Sequence, residues 1–375
     1  MKMEKEIIET MPKLGFGLMR LPRIDENTID VEQTKVMVDR FLAAGMKYFD
    51  TAFVYPGSED AIREALVKRY PRESYYLATK LNSRVASTAE EAKAQFEESL
   101  RRTEAGYFDF YLLHAIGEAT LPKYDEFKIW DYVKELKAEG KIKHYGFSFH
   151  HTPEILEQLL NEHPDVEFVQ LQINYADWEN PNVNSGKLYE ICRRHNKPIV
   201  VMEPVKGGTL ANPPLTVRKI LNEANPDVSL ASWAIRYVAS KPGILVVLSG
   251  MSNVEQMEDN LSFMKDFKPL SEEEEKTIER AQKVFQSTDQ IPCTACHYCT
   301  PGCPMQINIP EIFEAMNQNL VFGEPETAKE MYAEVMNEGS GRAADCIGCL
   351  QCEGACPQKI EITFWLHRIS EFMGE

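Results

Sequence analysis

The stretch VEQTKVMVDRFLAAGMKYFD, residues 31–50, holds one complete change of rhythm. From Val31 to Ala44 the apolar side chains recur at helical spacing and stop at Gly45, after which Tyr48-Phe49-Asp50 is short and aromatic, as a strand is. Outward from it the same alternation repeats in both directions. Strands are expected at Leu14–Leu18, Tyr48–Asp50, Tyr76–Thr79, Phe108–His114, His144–Ser148, Phe168–Ile173, Ile199–Glu203 and Leu245–Ser249. Helices fall between them, among them Thr88–Thr103, Lys123–Glu139 ending at Gly140, and Val228–Ser240. Strands alternating with helices call for a parallel α/β sheet, and a count of eight decides for a closed (β/α)8 TIM barrel over an open sheet. No G-x-G-x-x-G follows a strand and opens a helix, so a Rossmann site is not supported.

The chain has 375 residues, more than the roughly 250 such a barrel needs. The surplus is marked by its cysteines. Eight of the nine lie in two runs, Cys293-x-x-Cys296-x-x-Cys299-x-x-x-Cys303-Pro304 and Cys346-x-x-Cys349-x-x-Cys352-x-x-x-Cys356-Pro357. Three thiolates two residues apart wrap one iron–sulfur cluster, while the fourth takes a different heading and reaches a second. This is the bacterial ferredoxin pattern, and it predicts two 4Fe-4S clusters, one on Cys293, Cys296, Cys299 and Cys356, the other on Cys346, Cys349, Cys352 and Cys303. Structural zinc more often pairs two C-x2-C units across a long gap, and a disulfide net is foreign to a cytosolic chain. Between the runs, Pro310 and Pro325 open helical segments and Gly339-Ser340-Gly341 breaks them. The expected division is therefore a barrel over 1–284 and a small helical ferredoxin-like domain over 285–375. Cys192, alone on an amphipathic segment, reads as a small buried hydrophobe.

Net charge is −17, which repels a phosphate backbone and argues against nucleic acid. From Phe285 to the end there are 13 acidic and 4 basic residues, a balance of −9, which offers a redox protein partner an acidic face. No apolar run approaches the roughly 20 residues that span a bilayer, and the opening segment has no apolar core of a secretory signal, so the expectation is no membrane contact and a cytoplasmic location.

Chemistry in such barrels sits where the strands end. Asp50 closes the second expected strand, Tyr55 follows five residues later, Lys80 closes the third and His114 the fourth. A carboxylate, a phenol, an ammonium and an imidazole on consecutive strands can converge on one spot.

These residues resemble those of the aldo-keto reductase family. The likeness runs through Gly15-Phe16-Gly17, Gly45-x-x-x-Phe49-Asp50-Thr51-Ala52-x-x-Tyr55, Thr79-Lys80, Leu112-Leu113-His114, Gly146-x-Ser148, Gln172-x-x-Tyr175, Glu203-Pro204, Gly207-Gly208 and Ser249-Gly250 ahead of Asn260. The whole chain is similar to the branch of that family with a C-terminal ferredoxin module. The resemblance implies an NAD(P)-dependent oxidoreductase acting on a small carbonyl substrate, with Tyr55 as general acid, Lys80 stabilising its phenolate, Asp50 pairing with Lys80, and His114 orienting the carbonyl. It further implies cofactor binding by Gly17, Met19, Ser148, Gln172, Met202, Gln256 and Asn260.

Four positions depart from the family pattern. Phe149 replaces an asparagine beside Ser148, Met202 replaces an aromatic residue that stacks on nicotinamide, and Gly250 and Gln256 stand where many members place a lysine and an arginine around the 2′-phosphate of NADP. Loss of both cations favours NAD(H) over NADP(H). Met202 leaves room for another cofactor such as a flavin, for which the sequence carries no signature. Ala115–Lys123 is the expected substrate loop, Trp178 lines the mouth or packs beneath a loop, and His150-His151 reads as polar loop. The competing reading is an electron-transfer or redox-sensor protein whose cofactor-bound barrel has little turnover. It has no need of a general acid, and an intact Asp50, Tyr55, Lys80 and His114 set therefore favours the enzyme.

Overall fold

A computed structural model describes residues 3–25, 27–118 and 120–375 of the chain, so the first two residues of the opening segment and Ala119 of the expected substrate loop lie outside the described residues. These residues form two compact units. One comprises the chain up to Glu179 together with Asn184–Pro204 and Ala231–Ser271, and the other comprises Asn180–Val183, Val205–Leu230 and Glu272–Glu375. The division between 284 and 285 suggested by cysteine density does not coincide with these units. Among the described residues no helix is long and apolar enough to cross a membrane.

The first unit is a closed barrel of eight parallel strands, each hydrogen-bonded to its neighbours in sequence order. They are β1 Leu14–Gly17, β2 Tyr48–Asp50, β3 Tyr76–Leu81, β4 Phe108–Ile116, β5 Ile142–Phe149, β6 Phe168–Gln172, β7 Ile199–Met202 and β8 Ile244–Ser249. All eight expected strands are present. β3 runs past Thr79, so Lys80 lies inside the strand and not at its end. Tyr48, Phe110 and Phe168 meet in the interior, with ring centroids 4.9 and 5.3 Å from Phe110. Met3 and Met11 join the same core from either end of the first helix, Lys5–Thr10. Barrel closure leaves little room at Gly146, where a Cβ would stand 2.3 Å from the Phe168 carbonyl oxygen on the adjacent strand.

Helix Val31–Ala43 starts at Asp30, whose side chain caps Gln33 N, and Ala89–Thr103 starts at Thr88, which caps Glu91 N. The single helix expected over Lys123–Glu139 is two, Leu121–Glu126 and Ile129–Ala138, separated at Lys128 in the left-handed conformation (φ 54°). An exposed hairpin, Arg23–Asp25 with Thr28–Ile29, was not expected, since it has no buried face to leave a pattern.

In the second unit, helices Ile309–Phe322 and Pro325–Asn337 each carry proline in the first turn, as their sequences predict. They pack with Ile362–Met373 around Ile312, Phe313, Tyr332 and Leu366, and the cysteines of both runs border this core. Helix Leu215–Ala224 buries Val217 and Leu221 and packs on Glu272–Gln286. Just ahead of it Gly207, at φ +65°, lies against the backbone of Thr294, and a Cβ there would approach the Thr294 carbonyl oxygen to 2.6 Å. Only glycine fits that contact, beside Cys293.

Candidate active site

The loop after β2 is tied down before it delivers Tyr55. Thr51 N donates to Ala78 O and Phe53 N to Lys80 O, which register the loop on β3. The Thr51 and Ser58 hydroxyls bond each other at 2.7 Å, and Ser58 Oγ donates to Leu18 O at 2.9 Å. Gly57 (φ 72°) supplies the turn into the short helix that follows.

Four expected residues come together at the carboxyl ends of the strands. Lys80 Nζ donates to Asp50 Oδ1 and, at 2.6 Å, to the Thr51 carbonyl. Lys80 is 1% exposed and Asp50 3%. Burial lowers the pKa of the Lys80 ammonium and raises that of the Asp50 carboxyl, and in both cases the partner's charge opposes the shift. The Lys80 ammonium stands 5.1 Å from the centroid of the Tyr55 ring, and the His114 ring meets that ring edge-on at 5.7 Å and 83°. Burial, followed by the positive charge of Lys80 and then His150, pushes His114 well below the ordinary imidazole value. It is therefore neutral at pH 7. His114 O accepts from the Tyr124 hydroxyl at 2.6 Å, so β4, which runs two residues past His114, is joined to helix Leu121–Glu126, which begins inside the expected substrate loop. Thr120 fastens the loop itself by donating to Ala115 O at 2.6 Å.

The expected cofactor residues occupy the same rim. Ser148 Oγ accepts from Ala115 N at 2.7 Å, next to His114. Gln172 and Met202 are register partners at the ends of β6 and β7. Gly17 ends β1, with Ser249 O and Gly250 N 3.4 and 3.6 Å from where its Cβ would be, and Met19 follows in a turn of 3-10 helix. Asn260 donates to Ser249 Oγ at 2.6 Å, and Gln256 Oε1 accepts from Ser252 N at 2.8 Å. Phe149 is buried within β5, near the rings of Phe147 and His151. Half-buried Trp178 packs on Gly186 and Tyr189 with Lys241 Nζ 3.9 Å over its ring.

Three features escaped the sequence. Glu59, 1% exposed, accepts from Thr79 Oγ1 at 2.7 Å and pairs with Arg102, which also donates to Phe53 O, so a second buried carboxylate braces the strand and loop that carry Lys80 and Tyr55. Buried Asp177 accepts from both Gln172 and Asn174 at 2.8 Å, fixing the Gln172 amide. The Arg20 side-chain stem lies beside Gly250, its Cδ 3.5 Å from where a Cβ there would be, and its guanidinium is 3.7 Å from Glu203. The Glu59 and Arg20 pairings are long-range, whereas Asp177 reaches Gln172 and Asn174 five and three residues back within one stretch of chain.

In the second unit, Cys303, Cys346, Cys349 and Cys352 line one cleft of about 310 Å³, its open mouth included. The fourth cysteine of the first run thus stands with the first three of the second. On the other side, burial pushes the Cys293 thiol up to about 12, and the sulfurs close enough to add to that rise are Cys296, Cys356 and Cys299. Among the described residues no three His, Cys, Asp or Glu side chains converge closely enough to hold a single metal ion. A four-iron cluster asks for a different arrangement, four thiolates around a larger body, and the four cysteines lining the cleft are that donor set. Cys192 is fully buried on helix Ser185–Arg194, and burial raises its thiol pKa.

Residues 13–283 match the model of the aldo/keto reductase family, and residues 292–361 match that of the 4Fe-4S dicluster domain. The chain belongs to the aldo/keto reductase family and is an oxidoreductase whose C-terminal region carries a 4Fe-4S dicluster domain. An uncharacterised oxidoreductase of Bacillus subtilis, YqkF, is 25% identical over 72% of this chain and 92% of the relative. The 9,11-endoperoxide prostaglandin H2 reductase of Trypanosoma cruzi is 28% identical over 72% of this chain and 87% of its own length. Among solved structures, the holo form of aldo-keto reductase AKR11C1 from Bacillus halodurans aligns with a TM-score of 0.59 at 26% identity, covering 72% of this chain and 91% of that one.

Proposed function

We propose that the chain reduces the carbonyl group of an aldehyde or ketone with a nicotinamide cofactor, with Tyr55 as the proton donor. The observation that carries this reading is the buried Lys80 ammonium 5.1 Å from the Tyr55 ring centroid, with the His114 ring edge-on to the same phenol. A fixed cation favours phenolate over phenol and so lowers the cost of giving up the proton. Asp50 and the Thr51 carbonyl hold that cation in place. Neutral His114 offers an N–H to the substrate oxygen as negative charge grows on it. When bound, the nicotinamide supplies hydride to the carbonyl carbon. Tyr55 supplies the proton to the oxygen, and solvent restores it. Gly17, Met19, Ser148, Gln172, Met202, Gln256 and Asn260 would hold the cofactor. Gly250 and Gln256 in place of cations favour NADH, although Arg20 reduces the deficit.

The same reading gives the C-terminal domain two 4Fe-4S clusters, held by Cys293, Cys296, Cys299 and Cys356 and by Cys303, Cys346, Cys349 and Cys352. They supply one-electron chemistry. The cytoplasm, where thiols stay reduced, suits such a set of cysteines.

The test is Tyr55→Phe, which keeps the ring and removes the hydroxyl. Carbonyl reduction should fall by roughly two to four orders of magnitude while NADH still binds. A variant that reduces a panel of aldehydes at the wild-type rate would remove Tyr55 from the chemistry.

A further inference from the structure

Cys349 is the one exposed cysteine of the nine. Its neighbours are also unusual. Ile347 is 64% exposed, Leu350 55% and Met305 37%, and all three line the cleft that holds Cys303, Cys346, Cys349 and Cys352. Large apolar side chains left in water are normally scattered, and a gathering of them marks a surface that meets something. Leu350 is held at φ 60°, a left-handed conformation that bulky residues avoid, so backbone strain accompanies the outward display of this side chain. Neither Pro304-Met305-Gln306 nor Ile347-Gly348-Cys349-Leu350-Gln351 contains a charged residue.

Charge decides what covers this lip. From Phe285 to the end the balance is 13 acidic residues to 4 basic, so an uncharged apolar patch belongs to a strongly acidic domain. Interfaces place apolar contact at the centre and complementary charge around it. A second copy of this chain brings −17 and the same acidic domain, so like charges meet. A protein with an apolar patch ringed by lysine and arginine meets neither obstacle.

We propose that Met305, Ile347 and Leu350 form the docking surface for a basic one-electron carrier protein, and that electrons cross there to or from the cluster held by Cys303, Cys346, Cys349 and Cys352. The proposal rests on the cluster reading given above. One electron crosses per encounter. In the outward direction the cluster is oxidised by one electron and the carrier reduced by one, and no bond or proton changes hands.

The experiment uses the full chain, loaded with iron and sulfide, reduced with dithionite and freed of excess reductant. Lysine-rich cytochrome c is the probe, with an acidic ferredoxin for comparison. Stopped-flow absorbance should show rapid haem reduction whose second-order rate falls steeply as salt rises, with slow transfer to the acidic carrier. Ile347→Ser with Leu350→Ser should lower the cytochrome c rate at least tenfold, and Met305→Ser should lower it less. Each variant is first shown to keep the parent's iron, acid-labile sulfide and visible spectrum. Rates indifferent to salt, or lip variants that transfer as fast as the parent with clusters intact, overturn the docking surface. Self-association in the ultracentrifuge that the lip variants abolish overturns it in favour of a second copy. A chain without acid-labile sulfide overturns both the docking surface and the cluster reading, an outcome distinct from the others because it appears before any carrier is added.

Discussion

Replacing Asp50 by Asn changes one oxygen for a nitrogen and removes the countercharge of an ammonium that is 1% exposed. Lys80 then keeps the Thr51 carbonyl, 2.6 Å away, and a neutral amide oxygen in place of the carboxylate, in a place closed to water. Breaking a buried pair from one side costs about 3–5 kcal/mol, because the remaining charge is left uncompensated. Lys80→Met leaves the opposite fragment. Burial raises the pKa of the Asp50 carboxyl, so the charged form left behind is disfavoured as well, and the loss is of the same order, about 3–5 kcal/mol. Asp50→Asn with Lys80→Met removes both charges at similar volume and should fall only about 0–2 kcal/mol below the parent. The pair therefore carries an interaction energy of at least about 2 kcal/mol in a double-mutant cycle. Calorimetry of the barrel transition reads it. At roughly 2–4 °C per kcal/mol for a unit of this size, Asp50→Asn should melt about 6–20 °C below the parent, and the double variant should recover most of that. All three variants lose activity, so stability reports the electrostatics separately from the chemistry. Simple addition of the two single losses in the double variant would refute the reasoning.

His114 is depressed by burial, so the unfolded chain takes up its proton first as pH falls, and stability should decline below about pH 6.5 by up to about 1.4 kcal/mol per unit until the folded imidazole is protonated as well. Denaturant titrations between pH 7 and 5 should show a shallower decline in His114→Gln, and equal slopes would count against a neutral buried imidazole. Cys303→Ala should disturb the electron-paramagnetic signal of the cluster bound by Cys346, Cys349 and Cys352 more than that of its own run, and damage confined to its own run would contradict the crossed arrangement. Fluorescence titration should find NADH bound more tightly than NADPH, with Gln256→Arg raising NADPH affinity by about 1–3 kcal/mol; a parent that already prefers NADPH would transfer the phosphate contact to Arg20.

Legibility followed the range of the interactions. The strands could be read because interior positions such as Val200 and Val201, or Val246 and Val247, are buried in unbroken apolar runs bounded by turns. The helix break at Lys128 could not, since left-handed lysine has no local signature. Asp50, Tyr55, Lys80 and His114 announced themselves by residue type and spacing. The carboxylate that braces the Lys80 strand and the Tyr55 loop did not, because Glu59 and Arg102 are 43 residues apart and joined only by the fold. Cysteine spacing groups Cys303 with Cys346, Cys349 and Cys352, which line one cleft, whereas the packing of Gly207 on Thr294 joins segments far apart in the chain and leaves no mark in the composition.

That packing sets an order of events during synthesis. Residues 205–230 leave the ribosome before the segment 231–271, which belongs to the barrel, and only afterwards do their own partners in 272–375 appear. At roughly 5–20 residues per second the delay lasts several seconds. Throughout it Val217 and Leu221 have no helix Glu272–Gln286 to cover them, and Gly207 has no Thr294 to rest on. The nascent chain thus carries an unfinished crossover through the later part of its production, and the tail that matches the 4Fe-4S dicluster domain is also what closes it.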